Sequence, residues 1–243
     1  MRFITTFIFR IVLILLFPLS AQAAYFFGYP IYPYIGADYQ LRETPFRERH
    51  GGGVFESQFQ QGQIFLGVRF WEYLGIELTY SKTNIKNRFS QIGENGHALG
   101  VFVPPAGPTE THLSQAEYRV YSANLMGFYL IPFDPLCRTE LIGSFGIAQV
   151  KPKLKDELTH LDNVALTTPL VYTFNKRRSV LRLMAGIQYK LTPNIGVRGT
   201  FTFEDTSQFE HLKANEFYDS HRVVSLKNSL IYGLGFFFNT SER

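Results

Sequence analysis

The chain has 243 residues, a formal net charge of +4 and a single cysteine. One cysteine excludes an intrachain disulfide, and a small net charge without a face rich in lysine and arginine argues against a nucleic-acid partner. Aromatic residues make up 16% of the chain, and all but one of them are Phe or Tyr. High aromatic content with few charges is typical of a membrane β-barrel.

The N-terminal segment predicts a secretory signal peptide. Positive charge at Arg2 and Arg10 precedes the apolar run 11–17. Small residues follow, and we place the cleavage site after Ala23. The apolar run is too short for a membrane-spanning helix, which needs about 20 residues. The mature domain is therefore predicted to be 24–243.

Eight segments of the mature chain alternate apolar residues with small or polar ones, and each predicts a β-strand. In chain order they cover 33–42, 62–70, 73–82, 117–131, 138–150, 179–190, 194–205 and 226–239. Strict alternation is expected where the two faces of a strand meet different surroundings. Soluble β-sandwiches alternate too, so the choice between lipid and water needs further observations.

The first of these observations is the position of charge. Nearly balanced acids and bases lie on the strand faces opposite the apolar residues. They are Asp38, Arg42, Arg69, Glu77, Glu140, Arg182, Lys190, Arg198 and Glu204. Aromatic residues lie near the ends of the apolar faces, as expected at a membrane interface. The pattern predicts apolar faces toward lipid and a paired charged network that fills the lumen.

The second observation is the length of the links between strands. Links after the second, fourth and sixth strands are short, whereas the others are long and cover 43–61, 83–116, 151–178 and 206–225. Outer-membrane barrels have short periplasmic turns and long external loops, and hydrocarbon excludes an open sheet edge. The sequence therefore predicts an all-β fold, an eight-stranded antiparallel up-and-down transmembrane β-barrel in a bacterial outer membrane.

Three segments, 65–81, 185–194 and 232–238, resemble parts of the OmpA-like and Opa-like eight-stranded outer-membrane proteins of Gram-negative bacteria. They are similar to the family's second hairpin, its turn between strands six and seven, and its terminal strand. The resemblance covers nearly the whole mature chain. The sequence departs from the family at Ile231, where a polar residue is usual, and in the residues that follow Phe238.

The resemblance also implies partners. The terminal strand is the one that the barrel-assembly machinery recognises, which makes Gly233, Phe236 and Phe238 the expected assembly signal. Outer-membrane lipid and lipopolysaccharide are expected to surround the barrel. A host or surface ligand is expected at the long loops, because function concentrates on loops held by a rigid scaffold. The expected role is envelope integrity, adhesion or surface recognition, with no cofactor.

No catalytic, cofactor-binding or metal-binding set is predicted, and all six histidines fall in the predicted outer loops. The alternative is a lipid-modifying enzyme of the same architecture, resembling a lipid A deacylase, which needs a Ser beside a His base. Its candidates are Ser220 with His221 and, more weakly, Ser207 with His211. Adjacent residues of a strand point to opposite faces, so the first pair cannot meet if extended. A narrow pore is a third hypothesis.

Two smaller features of the sequence also carry interpretations. Lys176, Arg177 and Arg178 form a basic triplet at a predicted strand start. We interpret the triplet as an anchor at the membrane interface or as a contact to lipid headgroups. Cys137 is interpreted as a partly buried thiol in a short turn.

Overall fold

The computed structural model describes residues 24–26, 29–48, 54–70, 72–92, 110–161, 164–209, 212–213 and 223–239. The predicted signal peptide lies outside these residues, and its cleavage stays a prediction. No helix in the described part of the chain is long and apolar enough to cross a membrane. The described chain is mainly β-strand, with a short 3-10 helix at Thr206–Gln208.

Fourteen strands are present within the described ranges. They are β1 (Ala24–Phe26), β2 (Tyr29–Glu43), β3 (Phe46–Glu48), β4 (Gln58–Arg69), β5 (Leu74–Thr83), β6 (Lys86–Ile92), β7 (Glu110–Leu130), β8 (Thr139–Leu161), β9 (Val164–Asn175), β10 (Arg178–Lys190), β11 (Ile195–Glu204), β12 (Leu212–Lys213), β13 (Val223–Leu226) and β14 (Ser229–Asn239).

Eight of these strands form a closed antiparallel ring. In ring order they are β2, β4, β5, β7, β8, β10, β11 and β14. β14 pairs in turn with β2, which closes the ring and removes its edges. The predicted eight-stranded up-and-down barrel is confirmed.

The two ends of the barrel differ in the length of their links. At the short-turn end, brief turns join β4 to β5, β7 to β8 and β10 to β11. The N–H of Asn239, which ends β14, donates to the carbonyl of Asn194 at this end (2.9 Å). At the long-link end, β6 pairs with β7, β9 pairs with β8, and β12, β13 and β3 form a small separate sheet.

In the half of the barrel nearer the short-turn end, apolar side chains point outward and charged ones point inward. Ile64, Phe145 and Phe236 are 60%, 58% and 67% exposed, whereas Glu77 and Arg198 are 1% and 3% exposed. An apolar band around a closed ring with a polar interior suits contact with lipid. The strands have the sidedness that the sequence predicts.

In the half nearer the long-link end, the same strands reverse this arrangement. On β7, Tyr118 and Val120 are buried, and on β8 the buried Leu154 lies next to the exposed Lys153. The inward residues here form an apolar core. Its members are Val54, Phe55, Phe59, Ala116, Tyr118, Val120, Ala148, Val150, Leu154, Leu158, Tyr172, Phe174, Val180, Phe209, Val224 and Leu226. A polar outward face over an apolar core is the arrangement of an antiparallel sheet in water.

This reversal corrects two of the four predicted loops. The links 83–116 and 151–178 contain β6, β9 and the outer parts of β7 and β8. The alternation continues there in the opposite phase, because water replaces lipid outside the wall and apolar residues move to the inward face. The sequence prediction followed one phase only and therefore left out the outer parts of these two strands.

The other two predicted loops contain shorter strands. The link 43–61 contains β3 and the start of β4, and 206–225 contains β12 and most of β13.

A smaller apolar group lies inside the half of the lumen nearer the short-turn end. Met126, Phe128, Ile142 and Met184 are buried together there, and Tyr34 packs against them. The ring of Tyr34 lies edge-on to that of Phe128, with centroids 6.2 Å apart. Apolar groups therefore lie in both halves of the lumen.

The turn between β7 and β8 is organised by Asp134. Its carboxylate accepts the hydroxyl of Thr139 (2.7 Å) and the backbone N–H groups of Leu136 (3.0 Å), Arg138 (2.8 Å) and Thr139 (2.8 Å). These hydrogen bonds, with that of the Thr139 hydroxyl first, lower the pKa of Asp134 to about 2. Cys137 lies in the same turn with φ of 50° and is exposed, so its predicted partial burial is wrong.

Candidate functional site

The lumen contains three clusters of ion pairs, and all nine predicted lumen residues lie in them. In the cluster nearest the long-link end, Arg42 donates to Glu204 at 2.7 Å, and Arg182 donates to the second Glu204 oxygen at 3.3 Å. Arg42 also donates to Thr44 and Ser229, each at 3.0 Å. The charged side chains are at most 1% exposed. Because these side chains are buried, removing any one of them would leave an uncompensated charge inside the lumen, which is costly.

The middle cluster is centred on Arg198. Its guanidinium donates twice to Asp38 (3.0 and 2.7 Å) and once to Glu77 (2.7 Å). Its Cζ atom lies 3.3 Å from the centroid of the Phe65 ring, so the cation also stacks on an aromatic face. Gln63 donates to Asp38 at 3.0 Å and accepts from an arginine of the first cluster, which connects the two clusters.

A glycine sets the geometry of the middle cluster. Gly235 on β14 is the Cα partner of Asp38 on one side and of Arg198 on the other. A Cβ atom at Gly235 would collide with the Asp38 carboxylate. Because this position has no side chain, the two charged residues reach each other across the strand that separates them.

The third cluster lies nearest the short-turn end and is centred on Glu140. Its carboxylate accepts from Arg69 at 3.0 and 3.3 Å and from Gln188, and Lys190 approaches it to 3.6 Å. The Cζ atom of Arg69 lies 4.6 Å from the centroid of the Phe128 ring. The three clusters thus alternate in net charge along the axis, positive, negative and positive.

Buried charged side chains line the lumen, and the space at its short-turn mouth is small. At its short-turn mouth, the space bordered by Tyr34, Arg69, Phe128 and Lys190 measures about 20 Å³. Such a volume holds about one water molecule. The charged clusters lie between this mouth and the apolar core at the other end, so the described part of the lumen offers no wide aqueous path.

A buried His–Asp pair lies in the outer part of the wall, where the sequence predicted solvated loops. His112 Nδ1 lies 3.0 and 3.1 Å from the two carboxylate oxygens of Asp156. His112 is 0% exposed, and Asp156 is 3% exposed. Ser90 lies directly opposite His112 on β6, but its hydroxyl makes no hydrogen bond within the described chain. Both side chains are therefore shielded from solvent within the outer wall.

The candidates for an enzymatic site are not brought together by the described residues. Ser220, His221 and His211 lie outside them. Ser207 is exposed, and its hydroxyl and N–H both donate to Asp205. Within the described ranges, no cluster of His, Cys, Asp and Glu is suited to a metal ion.

The residues of the expected assembly signal lie on β14, the strand that closes the ring. Gly233 faces inward, where a Cβ atom would meet the Thr200 hydroxyl and Gln40. Phe236 and Phe238 face outward and are 67% and 43% exposed. Their side chains are therefore available for contact from outside the barrel.

A family model described as "Outer membrane protein beta-barrel domain" matches residues 9–221. The chain belongs to this family. Its barrel lies in the bacterial outer membrane, and the topology of such barrels places the short-turn end at the periplasm and the long-link end outside the cell. We therefore call these the periplasmic and outer ends.

Several solved structures are similar to this barrel. Ail of Yersinia pestis, titled an attachment invasion locus protein, is 13% identical, with a TM-score of 0.45 over 86% of this chain and 98% of its own. OprG of Pseudomonas aeruginosa is 8% identical, with a TM-score of 0.46 over 87% and 96%. The outer membrane protease OmpT of Escherichia coli is 11% identical, with a TM-score of 0.45 over 86% and 96%. No curated protein matches the sequence.

Proposed function

We propose that the barrel is a non-enzymatic scaffold that presents its outer segments for adhesion or surface recognition. The observation that carries this proposal is the continuation of the wall beyond the apolar band. Ten residues of β7, Glu110 to Arg119, precede the band and remain paired with β8. At about 3.3 Å per residue this length of strand spans about 30 Å. With an apolar core inside it, the outer wall forms a rigid stem between the membrane and the loops.

The same geometry disfavours the two alternatives. A pore needs a continuous aqueous path, whereas ion pairs and apolar groups fill the described lumen. A lipid-modifying enzyme needs a nucleophile and a base that lipid can reach. His112 and Asp156 are the nearest approach to such a set in the described chain, and both are buried in the stem.

The recognition role is tested by replacing residues 93–109, which lie between β6 and β7, with a Gly-Ser linker of equal length. Cells carrying either form are applied to a panel of immobilised glycans and matrix proteins. We expect the native chain to raise retention on at least one surface and the replacement to remove that gain. Equal surface amounts of folded barrel, checked by migration before and after boiling, are the control. Equal retention by both forms, or by cells without the chain, would contradict recognition through this loop.

The proposal that the chain is not an enzyme has its own readout. Lipid A is extracted from cells with and without the chain and compared by mass spectrometry. We expect identical acylation patterns. Loss of an acyl chain that depends on Ser220 and His221 would support the deacylase alternative instead.

We also propose that Gly233, Phe236 and Phe238 form the signal for the barrel-assembly machinery. The outward exposure of both phenylalanines on the ring-closing strand supports this role. We expect Phe236→Ala combined with Phe238→Ala to slow assembly in cells more than Phe201→Ala combined with Leu183→Ala, which truncates lipid-facing residues on β11 and β10. Equal slowing by both pairs would show that only lost lipid contact matters.

A further inference from the structure

A row of basic side chains runs across the outer wall of the barrel. Lys82 on β5 is the Cα partner of Arg119 on β7, and Arg119 is the partner of Lys151 on β8. Lys153 lies two residues further out on β8 with its side chain on the same exposed face. Arg177 donates to Gln149 of β8 and continues the row toward β10. We call Lys82, Arg119, Lys151, Lys153 and Arg177 the basic row.

The basic row lies at the outer edge of the apolar band. Two residues toward the periplasm from Lys82 and Arg119 are Tyr80 and Tyr121, whose ring centroids are 4.9 Å apart. On β8 the exposed Ile147 is the last apolar outward residue before Lys151. Aromatic side chains of this kind mark the boundary between hydrocarbon and headgroups. The row therefore lies at the height of the headgroups of the outer leaflet.

The row occupies one side of the barrel only. At the same height on the opposite side, the outward positions carry Glu43 on β2, Gln60 on β4 and Asp205 after β11. The described cation nearest to them on that side is the exposed Lys227, just before β14. The outer wall therefore carries more cations on the side of β5, β7 and β8 than on the side of β2 and β11.

Most of the positive charge of the row is not neutralised by the protein. Among the described residues, the carboxylate that pairs with the row is Glu117, at 3.4 Å from Lys82 and 3.1 Å from Arg119. Burial acts to raise the pKa of Glu117, but the hydrogen bonds and charges of these two partners hold it below its usual value. Lys151 and Lys153 form no ion pair with any described carboxylate, so they remain available to a ligand.

We propose that the basic row binds the phosphate groups of lipopolysaccharide in the outer leaflet. Lysine and arginine are the usual phosphate-binding side chains, and several neighbouring cations near the edge of the band add their attraction to an anionic lipid surface. Lipid phosphates lie at the height of the row, whereas a soluble anion has no reason to select the edge of the apolar band. The inference depends on the position of the barrel in the outer membrane and not on the proposed recognition role.

The test uses the full mature chain folded in detergent micelles. Binding of bisphosphorylated lipid A is compared with binding of the same lipid A after removal of its phosphates. We expect the phosphorylated form to bind at least about tenfold more tightly, since each cation near an anionic surface contributes several-fold. Equal affinity for both forms would overturn the proposal.

Two matched variants distinguish binding through the basic row from an effect of the overall charge of the protein. Lys151→Gln combined with Lys153→Gln removes two cations from the row, and Arg138→Gln combined with Lys227→Gln removes two exposed cations from elsewhere. We expect the first variant to lose about tenfold in affinity for phosphorylated lipid A and the second to retain it, while Lys151→Arg with Lys153→Arg also retains it. Equal losses in the first two variants would mean that overall charge alone is responsible, and the site would be rejected.

A competition experiment distinguishes a site for lipid phosphate from a site for free phosphate. Inorganic phosphate is added at millimolar concentration to the lipid A complex. We expect lipid A to stay bound, because its acyl chains and several phosphates hold it at the band. Displacement at such concentrations would identify the row as a site for soluble anions and would overturn the assignment to lipid.

Discussion

Arg198 is the residue on which the middle of the lumen depends. Removing its charge leaves Asp38 and Glu77 buried without a counterion, and breaking a buried pair in this way typically costs about 3–5 kcal/mol. We expect Arg198→Met to lower the free energy of unfolding by that amount in urea titrations of the folded barrel in lipid vesicles. The exposed Arg177→Met is the control, with an expected change within about 0.5 kcal/mol. Equal effects of the two variants would contradict a structural role for the cluster.

Asp134 gives the periplasmic turn a defined pH dependence. Its pKa in the folded chain is lowered to about 2, below the value of about 3.9 for a free aspartate. A lowered folded pKa stabilises the fold above the unfolded pKa, and this stabilisation is lost as pH falls toward 2. We expect the urea midpoint of the native chain to exceed that of Asp134→Asn by a constant amount above about pH 5 and to converge with it near pH 2. A constant difference down to pH 2 would show that the charge has no part in holding the turn.

At the residue scale, the sequence reveals which charges face inward but not which of them pair. Alternation alone puts Asp38 and Arg198 on the inward face. Their pairing depends on the stagger of β2, β14 and β11 around the ring and on the missing side chain of Gly235 between them. Such contacts join residues far apart in sequence, and strand alternation carries no information about the stagger of a closed ring.

β7 and β8 each run from the lipid-facing band into the water-exposed stem. Their outward faces should tolerate a charged side chain in the stem but not in the band. Phe145 on β8 lies in the lipid-facing band, and Thr173 on the neighbouring β9 lies on the outer stem. We expect Phe145→Lys to destabilise the barrel by about 2–4 kcal/mol, the usual effect of a lysine near the middle of the bilayer. Thr173→Lys should change stability by no more than about 0.5 kcal/mol.

The measurement is again urea unfolding in vesicles, followed by the difference in migration between folded and unfolded forms. A large loss in Thr173→Lys would show that lipid covers the stem. A negligible loss in Phe145→Lys would show that water reaches the band. Either result would contradict the boundary that the basic row and the tyrosines mark.

At the element scale, all eight ring strands could be predicted from the sequence, but the outer ends of β7 and β8 could not. The pattern on β7 changes phase between Val120, which is inward, and Tyr121, which is outward. The predicted strand 117–131 reaches only a few residues beyond this point, because the residues before it alternate in the other phase. The buried pair of His112 and Asp156 was missed for the same reason, since both lie in the segment assigned to loops.

The whole molecule combines a closed membrane barrel with an outer stem, into which β7 and β8 continue furthest among the described ring strands, flanked by β6 and β9. The membrane half has a polar interior and an apolar wall, and the stem has an apolar interior and a polar wall. β7 and β8 stay paired along both parts, so they connect the lipid-embedded part to the stem. Loops on such a stem are held at a fixed height above the membrane, which lowers the entropy lost when they bind a partner.

A lumen occupied in both halves leads to an expectation for ion conduction. The charged clusters and the core of the stem lie in series with the apolar group of Met126, Phe128, Ile142 and Met184, so opening that group alone should not create a path. We expect the native chain to carry no steady current in planar bilayers, and Met126→Ala combined with Phe128→Ala to behave in the same way. Removing bulk from the periplasmic end leaves residues such as Phe59 and Leu154 blocking the stem. A steady current through the double variant alone would place the only barrier at the periplasmic end, and a current through both would show that the lumen conducts.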